Sequence, residues 1–428
     1  MIYLRAAIGM CFFIGVAWGL STRRKQFPWR VVVFGLALQL ALAALILGTH
    51  GGRVVFQTIS DGVARLLVVV VEPAAAMVFG ELGKGDGQIG FVFAFAGRGL
   101  LAIIFFSALL AILYHIGVMQ VIVWVLARIM TALMGVSGAE SLAMAANIFV
   151  GQTEAPLVVR PYLQKMTMSE LNALMTGGFA TVAGSVLAIY IGLLGPEFGR
   201  HLLAASVMSA PAAFLIAKII LPETEHAETA GRVEFRIDRP AHNLIEAAAN
   251  GTQDGLRLWL NVVAMLVAFT ALIYLVDWPL GWFGQKLFQM AEGELSLSTL
   301  FGWVLSPVAW CMGVEGWHDC QRLGSLLGVK IAANEFVAFT QFAGISGAAE
   351  AVDLEQGAFG FAHLRSAKMA AYALCGFANF ASIGIQIGGI SALVPGRKTD
   401  LSRLALRAMI GGAFASWMTA TIAGVFIR

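Results

Sequence analysis

Two carboxylates are each the only charge in a long apolar run. Glu154 is the only charged residue between Glu140 and Arg160, and Glu335 the only one between Lys330 and Glu350. At bilayer depth a lipid-exposed carboxylate costs about 3 kcal/mol. Each is therefore expected to face protein or a watery cavity. Their neighbours are also hydrogen-bonding groups: Gly151-Gln152-Thr153-Glu154-Ala155-Pro156 and Asn334-Glu335-Phe336-Val337-Ala338. Glycine relaxes the dihedral limits and proline removes a backbone donor. A segment bracketed by Gly151 and Pro156 frees backbone groups in mid-membrane, which is tolerated where they bind something or are buried. The plainer reading of either segment alone is a kinked helix with a satisfied Glu.

The whole chain fits a membrane setting. Of its 428 residues 59% are hydrophobic and 12% are charged, with 28 basic against 25 acidic residues and a net charge of +3. Soluble domains are about 45–50% apolar and about 25% charged. Too few charges are present to coat a water-facing surface, which argues against a soluble enzyme, a disordered chain and a nucleic-acid binder. Apolar runs of about 20 residues match helical crossings rather than the roughly 10-residue alternating segments of outer-membrane barrels. Cys11, Cys311, Cys320 and Cys375 form no CxxC pair. Neither a disulfide framework nor a zinc knuckle is supported.

The elements that must position the two segments follow from the apolar runs. Spans are expected over 3–20, 30–48, 99–126, 141–159, 171–194, 201–221, 258–276, 331–349, 367–394 and 403–427. Residues 53–81 mix apolar runs with Arg53, Asp61, Arg65 and Glu72, which suggests an interfacial helix. Residues 222–258 form the longest polar stretch. Residues 279–320, aromatic and broken by Pro279 and Pro307, are placed at an interface, with Trp278, Trp282, Phe283, Trp303 and Trp310 as anchors. The Arg23-Arg24-Lys25 cluster follows the first apolar run rather than preceding it, which favours a span over a cleaved signal. The positive-inside rule puts that cluster and the Pro395–Lys398 turn in the cytoplasm, with both termini outside. The acidic turn at Glu350, Asp353 and Glu355 then lies outside.

An internal repeat ties the two segments together. Gly177-Gly178-Phe179-Ala180-Thr181-Val182-Ala183-Gly184-Ser185 follows the first, and Cys375-Gly376-Phe377-Ala378-Asn379-Phe380-Ala381-Ser382-Ile383 follows the second. Paired interrupted segments in corresponding halves are the sequence mark of a transporter's binding site. If each Glu segment is a hairpin entering halfway, the first opens to the cytoplasm and the second to the outside. Their tips would meet near the midplane, bringing Glu154 and Glu335 close together. The division is then 1–135 for the N-terminal spans and interfacial helix, 136–221 for the first repeat with hairpin 1, 222–320 for a cytoplasmic linker, scaffold span and interfacial segment, and 321–428 for the second repeat with hairpin 2.

Gly-Gln-Thr-Glu-Ala-Pro (151–156), Asn-Glu-Phe-Val-Ala (334–338) and Gly-Phe-Ala-Asn-Phe-Ala-Ser-Ile (376–383) resemble the concentrative nucleoside transporters, especially bacterial sodium-coupled members. The resemblance covers nearly the whole chain. It implies an all-α polytopic membrane protein with eight transmembrane helices and two re-entrant hairpins in an inverted repeat. It also implies a homotrimer in the bacterial inner membrane that imports nucleosides such as uridine by sodium symport, in elevator fashion. Carried over by position, Gln152, Thr153 and Glu154 contact the nucleobase. Glu335, Asn379 and Ser382 contact the ribose, with Phe377 beside the substrate. Asn147, Val150, Thr153, Thr181 and Val182 hold Na+, several through main-chain carbonyls. No organic cofactor is implied, and no nucleic acid. The partners are the nucleoside, the lipid bilayer and further copies of the chain.

Three other readings compete. Glu154 or Glu335 could carry a coupling proton. His318-Asp319-Cys320 with His115 could serve an intramembrane enzyme, although no partner lies at ligand spacing and an interfacial polar turn explains the set more simply. A channel would need no paired hairpins.

Overall fold

The computed structural model describes residues 2–80, 94–97, 99–231, 241–291, 294–344 and 360–427. The acidic turn at 350–355 and the charged residues from Arg232 to Arg239 lie outside these segments. Among the described residues the chain is helical, with one isolated bridge between Ser137 and Ala230 and no strand.

The first three helical runs are α1 (Ile2–Gly19), α2 (Trp29–Ala43, extended by a π turn to Gly48) and α3 (His50–Leu66). A further π turn and α4 (Glu72–Phe79) continue α3. The stretch expected to be interfacial is thus part of a 30-residue run, His50–Phe79, long and apolar enough to cross a bilayer. Arg53, Asp61 and Arg65 occupy its first part, and Glu72 is the only charged residue of the stretch from Leu66 to Phe79.

The run expected as one clean span at 99–126 is broken. Helices α5 (Ala102–His115) and α6 (Val118–Met134) meet at a 76° bend. Gly117 sits at the joint with φ +92°, a conformation that L side chains avoid. Hydropathy alone does not register such a turn, because both arms are apolar.

The next elements build the first repeat. They are α7 (Gly138–Asn147), the short α8 (Ala155–Val158), α9 (Met168–Ala180), α10 (Gly184–Leu194) and α11 (Pro196–Ile220). Helix α12 (Leu244–Phe288) then runs for 45 residues. It absorbs part of the expected polar loop and passes through Pro279 into the expected interfacial segment. Asn243 starts it early, its side chain accepting from the Glu246 N–H at 2.8 Å. The remainder of that segment is α13 (Leu297–Cys311) and the start of α14 (Trp317–Ala332). With α15 (Glu335–Phe342), α16 (Leu364–Leu374), α17 (Phe380–Leu393) and α18 (Lys398–Phe426), helix α14 completes the second repeat. Seven helices among the described residues could cross a bilayer by length and composition, or eight if the bent α5–α6 pair is one span.

The core lies where α9, α11, α16 and α18 pack on one another. In α11 89% of the most apolar window is buried, and in α12 none of it. Helix α12 is therefore a peripheral element that leans on α5.

The two repeats run in opposite directions. At one end Thr22 N–H donates to Ile220 O at 3.0 Å, and Arg397 Nη1 donates to Gln164 O and Met166 O at 3.0 and 2.8 Å. Arg23, Arg24 and Lys25 belong to this end. At the other end Arg365 donates to Gly424 O at 2.9 Å and to Gly313 O at 3.0 Å, and Arg5 lies 5.9 Å from the Trp310 ring centre. Helix α9 starts at the first end and α16 at the second. Both ends of the described chain, at Ile2 and Ile427, reach the second.

Candidate functional site at the crossing of two broken helices

Each repeat contains a hairpin and a broken helix. Hairpin 1 is α7, a seven-residue tip at 148–154, and α8. Its base is fastened by capping boxes at Ser137/Glu140 and Thr167/Glu170. Lys218 of α11 pairs with Glu140 at 2.7 Å, both buried, and reaches Glu223 at 3.4 Å. Ser137 Oγ also donates to Glu170 Oε1, joining the start of α7 to the start of α9.

Hairpin 2 is α14 and α15, separated only by Ala333 and Asn334. Asp319 fastens its base to the start of α16, accepting from Ala362 N–H at 2.8 Å and His363 N–H at 3.1 Å. The His318-Asp319-Cys320 set thus forms the structural first turn of α14: His318 is exposed, and the Asp319 carboxylate is used by backbone amides.

The helix breaks meet in the middle. α9 ends at Ala180 and α10 begins at Gly184; α16 ends at Leu374 and α17 begins at Phe380. Gly376 lies between them with φ +121°, and a Cβ there would stand 2.8 Å from Phe179 O. Only glycine fits both the dihedral and the space. The two hairpin tips close on this crossing from opposite sides. Phe149 O of hairpin 1 accepts from Gly184 N–H at 2.8 Å. Gln152 Nε2 donates to Ser382 Oγ at 3.2 Å. From hairpin 2, Glu335 Oε2 accepts from Asn379 Nδ2 at 2.9 Å, and Oε1 from Tyr190 OH at 3.4 Å.

Helix ends explain why Glu335 is tolerated there. Asn334 caps α15 by accepting from Val337 N–H, and Asn379 caps α17 by accepting from Ser382 N–H, both at 2.8 Å. Glu335 is the first residue of α15 and bonds the cap of α17. Helix N-termini carry partial positive charge, which favours a carboxylate. Asn379 spends its oxygen on the cap and its NH2 on Glu335, so its amide has one orientation.

Asn147, Val150, Thr153, Thr181 and Val182 come from the hairpin 1 tip and the α9 break, which touch. Asn147 is 1% exposed, and neither its Oδ1 nor its Nδ2 has a hydrogen-bond partner among the described residues. A Cβ on Gly177, one turn before Thr181, would lie 3.2 Å from Asn147 Nδ2. Such an orphaned buried oxygen costs about 1–3 kcal/mol. It fits a small hard cation that prefers oxygen ligands.

Glu154 lies on the tip of hairpin 1. It is exposed and accepts from the Gly151 N–H of its own hairpin at 3.3 Å. Among the described residues no hydrogen bond or ion pair links it to Glu335. Gln152 is a hairpin 1 side chain that hydrogen-bonds the second repeat, and its neighbour Thr153 packs against Gly389 there. Phe377 is half-buried in the α16–α17 break.

Family models for the N-terminus (residues 8–82) and C-terminus (201–424) of Na+ dependent nucleoside transporters match this chain, with a nucleoside recognition ("Gate") model over 98–197. The chain belongs to the concentrative nucleoside transporter family. It is a transporter rather than an enzyme, and a multi-pass membrane protein. An uncharacterized transporter of Haemophilus influenzae is 41% identical over all of this chain and 98% of its own length. Sodium/nucleoside cotransporter 1 of Mus musculus is 39% identical over 97% of this chain, which spans 63% of the mouse protein. The structure of CNTnw in an inward-facing substrate-bound state superposes with a TM-score of 0.86 at 38% identity, covering 100% of this chain and 98% of that one. An outward-facing CNTnw variant gives 0.87 at the same identity and coverage.

Three residues bonded to or flanking the candidate site escaped sequence reasoning. Tyr190 looks like packing in an apolar run, yet its hydroxyl reaches Glu335 while its ring stacks on Phe339 at 4.1 Å. Lys330 is buried and donates to Ala373 O at 2.9 Å and Cys375 O at 3.4 Å. Gln386 is fully buried and bonds Gln152. The signal for Gln386 was the one that revealed Glu335, a polar side chain in an apolar run, whereas Lys330 sits in a helix that also carries Asp319 and Arg322.

Proposed function

We propose that the chain imports nucleosides such as uridine across the bacterial inner membrane by sodium symport. The carrying observation is the polar chain Gln152–Ser382 beside Glu335–Asn379, contributed by opposite repeats at the point where two helices are broken. A neutral ligand rich in donors and acceptors matches those groups. Gln152, Thr153 and Glu154 take the nucleobase; Glu335, Asn379 and Ser382 take the ribose, with Phe377 alongside. Sodium takes Asn147, Thr153 and Thr181 side-chain oxygens and the Val150 and Val182 carbonyls.

Coupling follows from shared residues. Cation binding at Asn147–Thr153 orders the tip that holds the base, so each ligand raises the other's affinity by the same factor. The hairpins are fastened at their bases to the broken helices, which favours motion of both repeats as one block. That is an elevator, with the peripheral helices as scaffold in a homotrimer.

The test is uptake of radiolabelled uridine into proteoliposomes under separate sodium and proton gradients. An inward sodium gradient is expected to accumulate unchanged uridine. Uptake driven by a pH gradient without sodium would instead assign coupling to a proton on Glu154 or Glu335. Uptake that only equilibrates would indicate a channel.

A further inference from the structure

We propose that Gln386 is a positioning residue for base recognition: it fixes the amide of Gln152 and thereby decides which nucleobase edge the site accepts. The inference rests on the reading of Gln152 as a base contact.

Gln386 is the only strongly polar side chain between Ser382 and Ser391 on α17. It is fully buried. Its Nε2 donates to Met175 O at 3.1 Å and to Gln152 Oε1 at 3.0 Å. A main-chain carbonyl only accepts, so Met175 O dictates which end of the Gln386 amide faces α9. With its NH2 committed there, Gln386 presents a donor to Gln152. Gln152 must answer with its oxygen, and its Nε2 then falls on Ser382 Oγ at 3.2 Å. A flipped Gln152 would set NH2 against NH2. The relay therefore runs from backbone to Gln386 to Gln152.

An amide has two lone pairs and two N–H groups. After one bond to Gln386 and one to Ser382, Gln152 keeps one acceptor and one donor, side by side and in a fixed order. The complement is an adjacent donor–acceptor pair on a base, such as N3–H with a neighbouring carbonyl on uracil. Gln386 Oε1 is itself buried without a hydrogen-bond partner among the described residues, which leaves a further acceptor beside Gln152.

The backbone makes room for this relay. A Cβ on Gly178 would stand 2.7 Å from Gln386 Nε2 and 3.0 Å from Gln152 Cβ. On the same face of α17, a Cβ on Gly389 would meet Thr153 Cγ2 at 2.6 Å. Two glycines thus admit two consecutive residues of the hairpin tip.

The experiment compares uridine with 3-deazauridine, which lacks the N3 donor, and with 3′-deoxyuridine, which lacks a ribose hydroxyl. Each is measured as a competitor of uridine uptake in proteoliposomes holding the full chain. In the unaltered protein each analogue is expected to bind about tenfold or more weakly, the equilibrium counterpart of one buried polar group left unpaired. Gln386→Met should reduce discrimination against 3-deazauridine by about that factor and leave the 3′-deoxyuridine ratio unchanged. An equal change in both ratios, or in neither, overturns the proposal, since a merely structural role would not separate base from ribose. Gln386→Asn keeps an amide but is too short to reach Met175 O and Gln152 together; it should behave like Met and serves if the Met variant fails to assemble. Gln152→Ala separates the two levels. If it leaves base discrimination intact, the underlying reading fails. If it abolishes discrimination while both Gln386 variants retain it, only the relay fails.

Discussion

The two repeats solve one problem with different parts. Each must end a helix in the middle of the molecule and leave its last carbonyls without intrahelical partners. In the second repeat Lys330 supplies a cation that is part of the chain: its ammonium donates to Ala373 O and Cys375 O where α16 stops. In the first repeat no ammonium hydrogen-bonds the end of α9 among the described residues. The nearby Asn147 amide is unmatched instead. The tips differ in the same sense, with seven residues (148–154) between the arms of hairpin 1 and two (333–334) in hairpin 2. The half with its own cation has the short tip, and the half with the unmatched amide has the long, adaptable one. On the proposed reading, a built-in charge fixes one side of the site while an exchangeable one, sodium, governs the other.

The largest effect on this contrast is expected from Glu335→Gln. It removes the carboxylate that joins the start of α15 to the cap of α17, and uridine uptake should fall by about a hundredfold, or about 3 kcal/mol, the range of a charge-assisted pair lost from a buried site. Assembly, read by size-exclusion chromatography, should persist. Near-normal uptake would remove Glu335 from the ribose site.

Lys330→Met tests the built-in cation. It leaves the α16 carbonyls unpaired, at about 1–3 kcal/mol of stability, seen as a lower melting temperature in detergent. The sodium concentration for half-maximal uptake should stay within about twofold of the unaltered protein's. A large shift in sodium dependence would mean that the halves are not separate in this respect. Asn147→Leu is the converse. Sodium should raise the melting temperature of the unaltered protein, because a ligand that binds only the folded state stabilises it. In the Leu variant that increment should vanish; a retained increment would place the ion elsewhere.

The smallest effect concerns orientation. Cysteines placed at Gln164, at the base of hairpin 1, and at His318, at the base of hairpin 2, should be labelled from opposite sides of the membrane. Labelling of both from one side would break the inverted arrangement.

Chemistry was more legible in the sequence than geometry. Glu335 and Asn379 were visible because a polar group in an apolar run carries a desolvation cost that demands a partner, and Ser382 through the family resemblance. The paired breaks were visible through Gly-Phe-Ala in each half. Partners were harder to read. Glu154 announced itself as loudly as Glu335, yet Gln152 is the residue that crosses to Ser382, because direction at a hairpin tip depends on turn dihedrals rather than residue type. The 76° bend at Gly117 was hidden because both arms are apolar. Residues 53–81 read as interfacial because four charges were weighed above the length of the run, of which His50–Phe79 is long and apolar enough to cross a bilayer. Gln386 was overlooked beside Ser382, one helical turn away.

Helix α12 has a consequence that concerns thickness. Its 45 residues extend about 67 Å at 1.5 Å per residue. A hydrocarbon core is about 30 Å deep. Tilt alone would have to exceed about 60° to fit that length inside, well beyond the roughly 0–40° found for membrane helices. Part of the rod must therefore project into headgroups or water, and its first stretch, bearing Glu246, Asp254 and Arg257, has the charge to do so. This helix is a ruler laid across the boundary: a thinner or thicker bilayer changes its exposed length or its slope, and so the level at which the α5 arm leaning on it is held.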